Sequence, residues 1–183
     1  FASATPSRSR RSMPNSSSRI PLNCLTWPEA AAFCAWDGAR LPTYAEWHYA
    51  AAGGAQDRIY PWGNEPTPSR LYALYGCTLG VERPECTAAY VLPVGSLPSG
   101  AGLFAQEDLA GSMTEWLLDG SLSAYVDGCV DCVGAPPSPH RFWKSGSWVD
   151  DAASLLNGYF AIVEPTLRLP FLGLRCARDA GAP

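Results

Sequence analysis

Apolar residues recur every three or four positions in an early segment of the chain, which predicts an α-helix with one buried face. The residues on that face are Trp27, Ala30, Ala31 and Cys34. Thr26 and Glu29 stand at the start with the spacing of a capping box, in which each side chain bonds the other residue's backbone. Asp37-Gly38 provides the end of the helix. The pattern predicts a helix over residues 27–36.

A second helix follows directly and has the same start signal. Thr43 and Glu46 repeat the capping box, and Trp47 and Tyr49 continue the helical segment. Two adjacent glycines, at 53 and 54, stop it, because glycine adopts the left-handed conformation that ends helices without a steric penalty. The two capping boxes together predict a helix–turn–helix unit.

Beyond residue 54 the helical spacing disappears and prolines interrupt the chain repeatedly. Proline cannot donate a backbone hydrogen bond, so this part of the chain allows only short strands and turns. The candidate strands are residues 90–94, 115–118, 142–147 and 171–177. Residues 77–86 and 121–140 are expected to form long loops. These elements predict an irregular, loop-rich α+β domain with two N-terminal helices and short antiparallel strands.

Composition indicates one globular domain that is rich in turns. The chain has 183 residues, of which 47% are apolar and 16% charged, as in a domain with its own hydrophobic core. Glycine and proline number 17 each, more than a mainly helical protein would tolerate. The net charge of −4 gives no basis for binding nucleic acid or an anionic membrane. No apolar run approaches ~20 residues, so no membrane span is expected.

Residues 1–20 differ in composition from the rest of the chain. They contain seven serines, four arginines and no acid, and too few apolar residues to offset the entropy cost of ordering. We expect a disordered basic linker here, followed by a folded domain at 21–183. The alternative is a basic arm that holds a partner. The chain begins with Phe and shows no apolar stretch of a signal peptide, which favours a fragment of a longer protein.

Seven cysteines are many for a protein kept in a reducing compartment. Cys129 and Cys132 form a C-x-x-C pair, and Cys77 and Cys86 bracket a turn-rich loop. Zinc ligation by the two pairs is the competing interpretation, although their separation is not that of a zinc knuckle. We expect disulfides 77–86 and 129–132, with Cys24 unpaired, and hence an extracytoplasmic (periplasmic or secreted) protein.

Five sequence blocks, in order along the chain, resemble those of the formylglycine-generating enzyme, or sulfatase-modifying factor, family. They are RLPTYAEWHYAAAGG within residues 33–54, YPWGN at 60–64, DLAGSMTEW at 108–116, SGSW at 145–148 and GLRCAR at 173–178. The resemblance covers about residues 21–178 and implies a variant of the C-type lectin-like fold. Family domains carry a further N-terminal section of strands, which residues 1–20 do not resemble.

The resemblance also implies a disulfide and a calcium site. Cys34 and Cys176 match a disulfide of the family. The implied calcium ligands are the side chains of Asp108 and Glu115 and the backbone carbonyls of Gly111 and Met113. Calcium takes about six to eight oxygen ligands, which a tight glycine-containing turn between two carboxylates can direct inward. The family's other calcium site is expected to be absent, because Leu74 has no side-chain oxygen.

The family's chemistry depends on two residues that this chain lacks. Active members bind copper(I) through two cysteines, and the ion activates oxygen to convert a substrate cysteine into formylglycine. The matching positions here are Asp150 and Leu155, whereas the pocket residue Ser147 is kept. Copper(I) prefers soft thiolate ligands, which a carboxylate and an isobutyl group do not provide. We therefore expect a degenerate member of the family that does not bind copper, and whether it is an enzyme stays open.

Two other functions are open. The first is a non-catalytic, lectin-like module that binds a protein or peptide through the apolar segment 149–172, with Tyr159, Phe160 and Arg168 as candidate contacts. The second is an accessory domain of a non-haem iron oxidoreductase. Another domain would then supply the metal ligands, since this chain contains only His48 and His140. An enzyme of these kinds needs a metal and consumes oxygen, whereas a binding module needs neither.

Overall fold

Two α-helices, a four-stranded sheet and short 3₁₀ turns make up the regular structure in the computed structural model. It describes residues 19–65, 69–77, 90–120, 138–179 and 181. Helix α1 spans Trp27–Trp36 and helix α2 spans Tyr44–Ala52, which confirms the predicted helix–turn–helix unit. Among the helices of these ranges, none is long and apolar enough to cross a membrane.

Both helices begin at the predicted capping boxes. The Thr26 amide donates to Glu29 Oε2 at 2.9 Å, and the Thr43 amide donates to Glu46 Oε2 at 2.8 Å. In return, each threonine hydroxyl accepts a hydrogen bond from the amide of its glutamate. Gly53 ends α2 with a φ of +68°, the left-handed conformation expected from the adjacent glycines.

The sheet contains both antiparallel and parallel pairs. Its strands are β1 (Thr114–Trp116), β2 (Arg141–Lys144), β3 (Phe160–Val163) and β4 (Leu172–Gly173). They lie in the order β3-β2-β1-β4, with β2 antiparallel to both neighbours and β4 parallel to β1. The α+β class is confirmed, but the antiparallel expectation holds only for the pairs that include β2. The long connection between β1 and β4 provides the crossover that a parallel pair requires.

One predicted strand is wrong and one strand was not predicted. Residues 90–94 form a turn and an irregular segment, because Pro93 has no amide hydrogen to continue a ladder. The Val94 amide instead donates to the Arg19 carbonyl at 2.8 Å. The unpredicted strand, β3, lies in the segment 149–172 that we expected to display ligand contacts. Its residues alternate between exposed and half-buried, so it covers the sheet edge with one face in solvent.

A disulfide joins the first helix to the segment that follows the last strand. Cys34 and Cys176 are bonded, with their Cα atoms 5.5 Å apart, as the family resemblance implies. Cys34 is fully buried in a core cluster with Trp116 and Leu172, so the bond lies inside the core. Cys24 is exposed and unpaired, as predicted.

The other predicted disulfides lie partly or wholly beyond the part that the structure describes. Cys77 is buried and disulfide-bonded, and its predicted partner Cys86 falls outside the described residues. The predicted pair Cys129–Cys132 and the predicted linker up to residue 18 fall outside them as well.

Candidate functional site

The positions that the resemblance aligns with the family's copper ligands, Asp150 and Leu155, follow β2 in a turn that is stabilised by its own side chains. Asp150 Oδ2 accepts hydrogen bonds from the Ser147 amide at 2.8 Å and from the Ser147 hydroxyl at 2.6 Å. The Asp150 carbonyl accepts from the Gly76 amide at 2.7 Å. Ser147 itself is fully buried. The carboxylate therefore satisfies local backbone and hydroxyl donors, as a capping side chain does.

Leu155, the second copper position, is a core residue. It ends the 3₁₀ turn Ala152–Leu155 and is 1% exposed, packed with Tyr60, Ala73 and Ala110. Asp151 caps this turn by accepting hydrogen bonds from the amides of residues 153 and 154. Leu155 therefore has a structural role in the core.

These residues do not fit a copper(I) site. Linear or trigonal copper(I) coordination uses thiolate sulfur, and neither Asp150 nor Leu155 supplies it. In the described part of the chain, Cys34, Cys77 and Cys176 are in disulfides, and Cys24 is the free thiol that remains. No pair of thiolates from those ranges can be brought to the copper positions.

Three of the four implied calcium ligands line one cavity. A cavity of about 400 Å³ is lined by Asp108, Met113 and Glu115, together with Ser112 between them. Asp108 and Ser112 both have positive φ, of 56° and 60°, so the loop before β1 turns sharply. Gly111, the fourth predicted ligand, has φ of +72° in the same turn. The loop therefore brings Asp108, Met113 and Glu115 to one cavity, and their role as calcium ligands stays a prediction.

Arg175 also lines this cavity, and sequence reasoning did not identify it. Its Nε donates to Glu115 Oε2 at 2.6 Å, and its Nη2 donates to Glu115 Oε1 at 2.7 Å. Nη2 also donates to the carbonyls of Asp108 at 3.0 Å and Glu107 at 3.2 Å. Burial acts to lower the pKa of Arg175, but the charge and hydrogen bonds of Glu115 raise it above its usual value. The guanidinium therefore stays charged.

The remaining donors complete the surroundings of the two carboxylates. Glu115 Oε2 accepts a further hydrogen bond from Trp47 Nε1 at 2.7 Å, and Asp108 Oδ2 accepts from the Gly95 amide at 2.7 Å. Carboxylate and carbonyl oxygens are the hard ligands that calcium prefers, so the donor set fits this ion. A bound calcium ion and the Arg175 guanidinium would both contact the Glu115 carboxylate.

The three candidate ligand contacts lie on different elements. Phe160 packs its ring edge-on against Tyr44 of α2, with centroids 5.8 Å apart. Arg168 donates to Glu29 Oε1 at 2.6 Å, at the start of α1. Tyr159 is exposed beside β3. Only Tyr159 and Phe160 therefore remain together as a surface, while Arg168 supports the first capping box.

A buried amine lies between α2 and the sheet, and no sequence motif predicts it. Lys144 is fully buried, and its Nζ contacts the Asn157 carbonyl at 2.5 Å, His48 Nδ1 at 3.3 Å and the Tyr44 hydroxyl at 3.4 Å. Burial lowers the pKa of Lys144 to about 8. Burial, and then the Lys144 charge, lower the pKa of His48.

The two histidines do not come together in this structure. His48 contacts Lys144 at one end of the β2–β3 pair, whereas His140 lies 3.2 Å from Glu164 at the opposite end. Across the described ranges, no group of three His, Cys, Asp or Glu side chains could hold a metal ion.

The sequence matches the family described as sulfatase-modifying factor enzyme 1-like domain over residues 2–180. It is 32% identical over 171 residues to "Inactive C-alpha-formylglycine-generating enzyme 2" of Mus musculus, covering 90% of this chain and 51% of that protein. It is 35% identical to "Formylglycine-generating enzyme" of Streptomyces coelicolor, covering 87% and 53%. It is also 34% identical to "Hercynine oxygenase" of Mycobacterium tuberculosis, covering 87% and 37%. The chain spans about half the length of the curated relatives it matches first.

Solved structures share the fold. "Treponema denticola variable protein 1" superposes with a TM-score of 0.69 at 21% identity, covering 92% of this chain and 73% of that one. PvdO from Pseudomonas aeruginosa superposes with a TM-score of 0.68 at 22% identity, covering 88% and 63%. The family match covers residues 2–180, nearly the whole sequence, and it leads to one conclusion. This chain belongs to the sulfatase-modifying factor family, whose relatives include formylglycine-generating enzymes.

Proposed function

We propose that this chain is a degenerate formylglycine-generating enzyme domain that does not perform copper-dependent cysteine oxidation. The observation that carries the proposal is the pair of copper positions: Asp150 is hydrogen-bonded to Ser147, and Leu155 is packed in the core. Copper(I) chemistry needs thiolates at both places. The similarity to a relative named inactive supports this assignment, although relatives named as active enzymes are about equally similar.

A copper titration with a gain-of-ligand variant tests the proposal. We expect the wild-type protein to compete poorly for copper(I) against a chelating indicator. The double variant Asp150→Cys with Leu155→Cys supplies the thiolates and is expected to bind more tightly. The variant Asp150→Ser with Leu155→Ala serves as the control for disturbed packing. Tight copper binding by the wild-type protein would show that other thiols form the site.

The function that remains is binding of a protein or peptide. The exposed side chains of Tyr159, Phe160 and Ile162 support it, since aromatic residues are enriched at protein interfaces and the core of an interface is apolar. Arg168 is not part of this surface, because its side chain forms an ion pair with Glu29 at the start of α1. Variants Tyr159→Ala and Ile162→Ser should leave the fold intact and weaken partner binding, with Leu71→Ser, an exposed residue on another loop, as control.

An accessory role beside an iron-dependent domain is the second candidate. It is favoured by one observation: the chain matches only 37% of the hercynine oxygenase relative, so a domain of this kind occurs within a larger oxygenase. Another part of such a protein would supply the iron ligands, because His48 and His140 do not converge.

Calcium is the ion that we propose for the cavity before β1. Asp108 and Glu115 would provide carboxylate oxygens, and Gly111 and Met113 would provide carbonyls. When bound, the ion would add a positive charge that fixes the loop. Titration calorimetry with calcium is expected to give a signal that Asp108→Asn removes; no heat in the wild-type protein would contradict the assignment.

We also propose an extracytoplasmic location. The buried Cys34–Cys176 bond and the bonded state of Cys77 support it, since disulfides persist in oxidising compartments. Thiol-blocking before cell lysis should therefore leave Cys34, Cys77 and Cys176 unmodified.

A further inference from the structure

We propose that the Arg175 guanidinium supplies a permanent positive charge to the cavity before β1, the proposed calcium site. This side chain holds Glu115 and the preceding loop in place, so that the fold does not require a metal ion. The proposal concerns the protein's own residues and stands whether or not calcium binds. Arg175 is the positioning residue of the cavity, and it acts on the carboxylate that calcium would otherwise fix.

The first support is the environment of Glu115. Its side chain is only 7% exposed, in the middle strand β1 of the sheet. A carboxylate taken out of water is strongly destabilising unless a cation and hydrogen-bond donors replace the water. Trp47 provides one neutral donor, and Arg175 provides the charge and two further hydrogen bonds. The structure therefore satisfies this carboxylate without a metal.

The second support is the set of segments that Arg175 connects. It follows β4, it pairs with Glu115 on β1, and it donates to the carbonyls of Glu107 and Asp108 in the loop before β1. The guanidinium is a planar fork of donors, so one side chain can bond a carboxylate and adjacent carbonyls simultaneously. Calcium would connect the same loop and strand through oxygen ligands. Arg175 thus provides the cross-link that is usually attributed to an ion of this kind.

The third support is the charge balance of the cavity. The charged residues in its lining are Arg19, Glu107, Asp108, Glu115 and Arg175. Three carboxylates therefore face two guanidinium groups, which leaves a single net negative charge for a divalent cation to meet. Carboxylates that lack such compensation repel one another and need the ion in order to pack. Here the compensation is part of the chain.

Thermal unfolding with and without calcium tests the inference. In EDTA, the wild-type protein is expected to unfold cooperatively as a fully folded protein, and calcium is expected to raise its Tm only by the amount that binding to the folded state adds. Arg175→Met is expected to lose about 10 °C in EDTA, since it leaves a buried carboxylate unpaired. Arg178→Met is the matched control, because its ion pair with Asp37 is half-exposed and its loss is expected to shift Tm by less than about 3 °C.

A double variant separates loss of the charge pair from general damage. Because the cost of Arg175→Met comes from the unpaired Glu115 carboxylate, Arg175→Met combined with Glu115→Gln is expected to have a higher Tm than Arg175→Met alone. Arg175→Lys is a milder variant in case Arg175→Met fails to fold. It keeps the positive charge but not the planar set of donors, so its Tm in EDTA is expected to lie below that of the wild type and above that of Arg175→Met. The inference is overturned if the wild-type protein shows no cooperative unfolding in EDTA, or if Arg175→Met keeps the wild-type Tm there.

Failure of the calcium proposal and failure of the Arg175 proposal give different results. If calorimetry detects no calcium binding but Arg175→Met is destabilised in EDTA, the calcium proposal fails and the role of Arg175 remains. If calorimetry shows tight calcium binding and the wild-type protein folds only in calcium, the calcium proposal remains and the role of Arg175 fails.

Discussion

Lys144 is the only lysine of the chain, and it is fully buried between α2 and the sheet. The atoms within hydrogen-bonding distance of its Nζ are a carbonyl oxygen, an imidazole nitrogen and a hydroxyl. The ammonium also lies 4.4 Å from the centre of the Tyr44 ring, close enough for a cation–π interaction. These contacts hold the charged amine in place, but burial still favours the neutral form.

The lowered pKa of Lys144 gives a specific pH dependence of stability. Its pKa is about 8 in the folded protein, against 10.5 ordinarily, so the unfolded chain binds more protons between these values. The free energy of unfolding is therefore expected to rise from about pH 8 to about pH 10.5, by up to about 3 kcal/mol. Lys144→Met should lack this rise. Urea unfolding of both proteins across the range measures it, and parallel pH curves would contradict the assignment.

At the residue scale, the sequence predicted the positions that belong to contiguous motifs. Asp150 and Leu155 could be assigned because SGSW fixes the alignment a few residues before them. Arg175 and Lys144 could not, because their roles depend on partners far away in sequence. Glu115 lies 60 residues from Arg175, and His48 lies 96 residues from Lys144. Only the fold brings these pairs together.

The capping boxes are the elements whose energetics are most accessible to experiment. Glu46 joins the second box to Arg40, whose guanidinium bonds both of its oxygens at 2.7 Å. That interaction, with the Thr43 bonds added, lowers the pKa of Glu46 to about 2. The start of α2 is thus linked to the turn that precedes it.

Glu46 is expected to stabilise the protein only above the acid range. Because its folded pKa is depressed, its contribution is present above about pH 4.5 and is lost as the pH falls towards about 2. The side chain is 44% exposed, so solvent screening limits the effect to about 1 kcal/mol. Glu46→Gln should lower stability at neutral pH and converge with wild type in acid. Glu65→Gln, in an exposed loop, is the control.

At the element scale, local signals explain the successes and long-range pairing explains the errors. The helices were predicted because a capping box is complete within four residues. Strand β3 was missed because its apolar residues were assigned to a ligand-binding surface, and its pairing with β2 is a long-range feature. The parallel register of Thr114 with Leu172 could not be read from either strand alone, because both are very short.

The whole molecule is closed by the disulfide between Cys34 and Cys176, which are separated by 142 residues. Cross-linking residues so far apart restricts the unfolded chain strongly, so we expect Cys34→Ala with Cys176→Ala to lower the free energy of unfolding by about 4 kcal/mol. Denaturant unfolding measures this loss. Cys24→Ala is the matched control and should change little, since that thiol is exposed and unpaired. An unchanged double variant would contradict a stabilising role for the bond.

At this largest scale the family could be recognised from sequence, because the five blocks run through most of the chain in a fixed order. The family match over residues 2–180 agrees with that recognition. What the sequence could not provide is the packing that fills the copper positions. Asp150 closes a turn and Leu155 enters the core, and both facts depend on the three-dimensional arrangement.

Oxygen uptake tests most directly whether this chain lacks copper-dependent cysteine oxidation. The reduced protein would be incubated with copper(I) and a Cys-x-Pro-x-Arg peptide, with the Streptomyces coelicolor formylglycine-generating enzyme as positive control. We predict no oxygen consumption above the copper-only background and no aldehyde in the peptide. Oxygen uptake that is matched by formylglycine formation would contradict the claim and show that ligands other than Asp150 and Leu155 hold the copper.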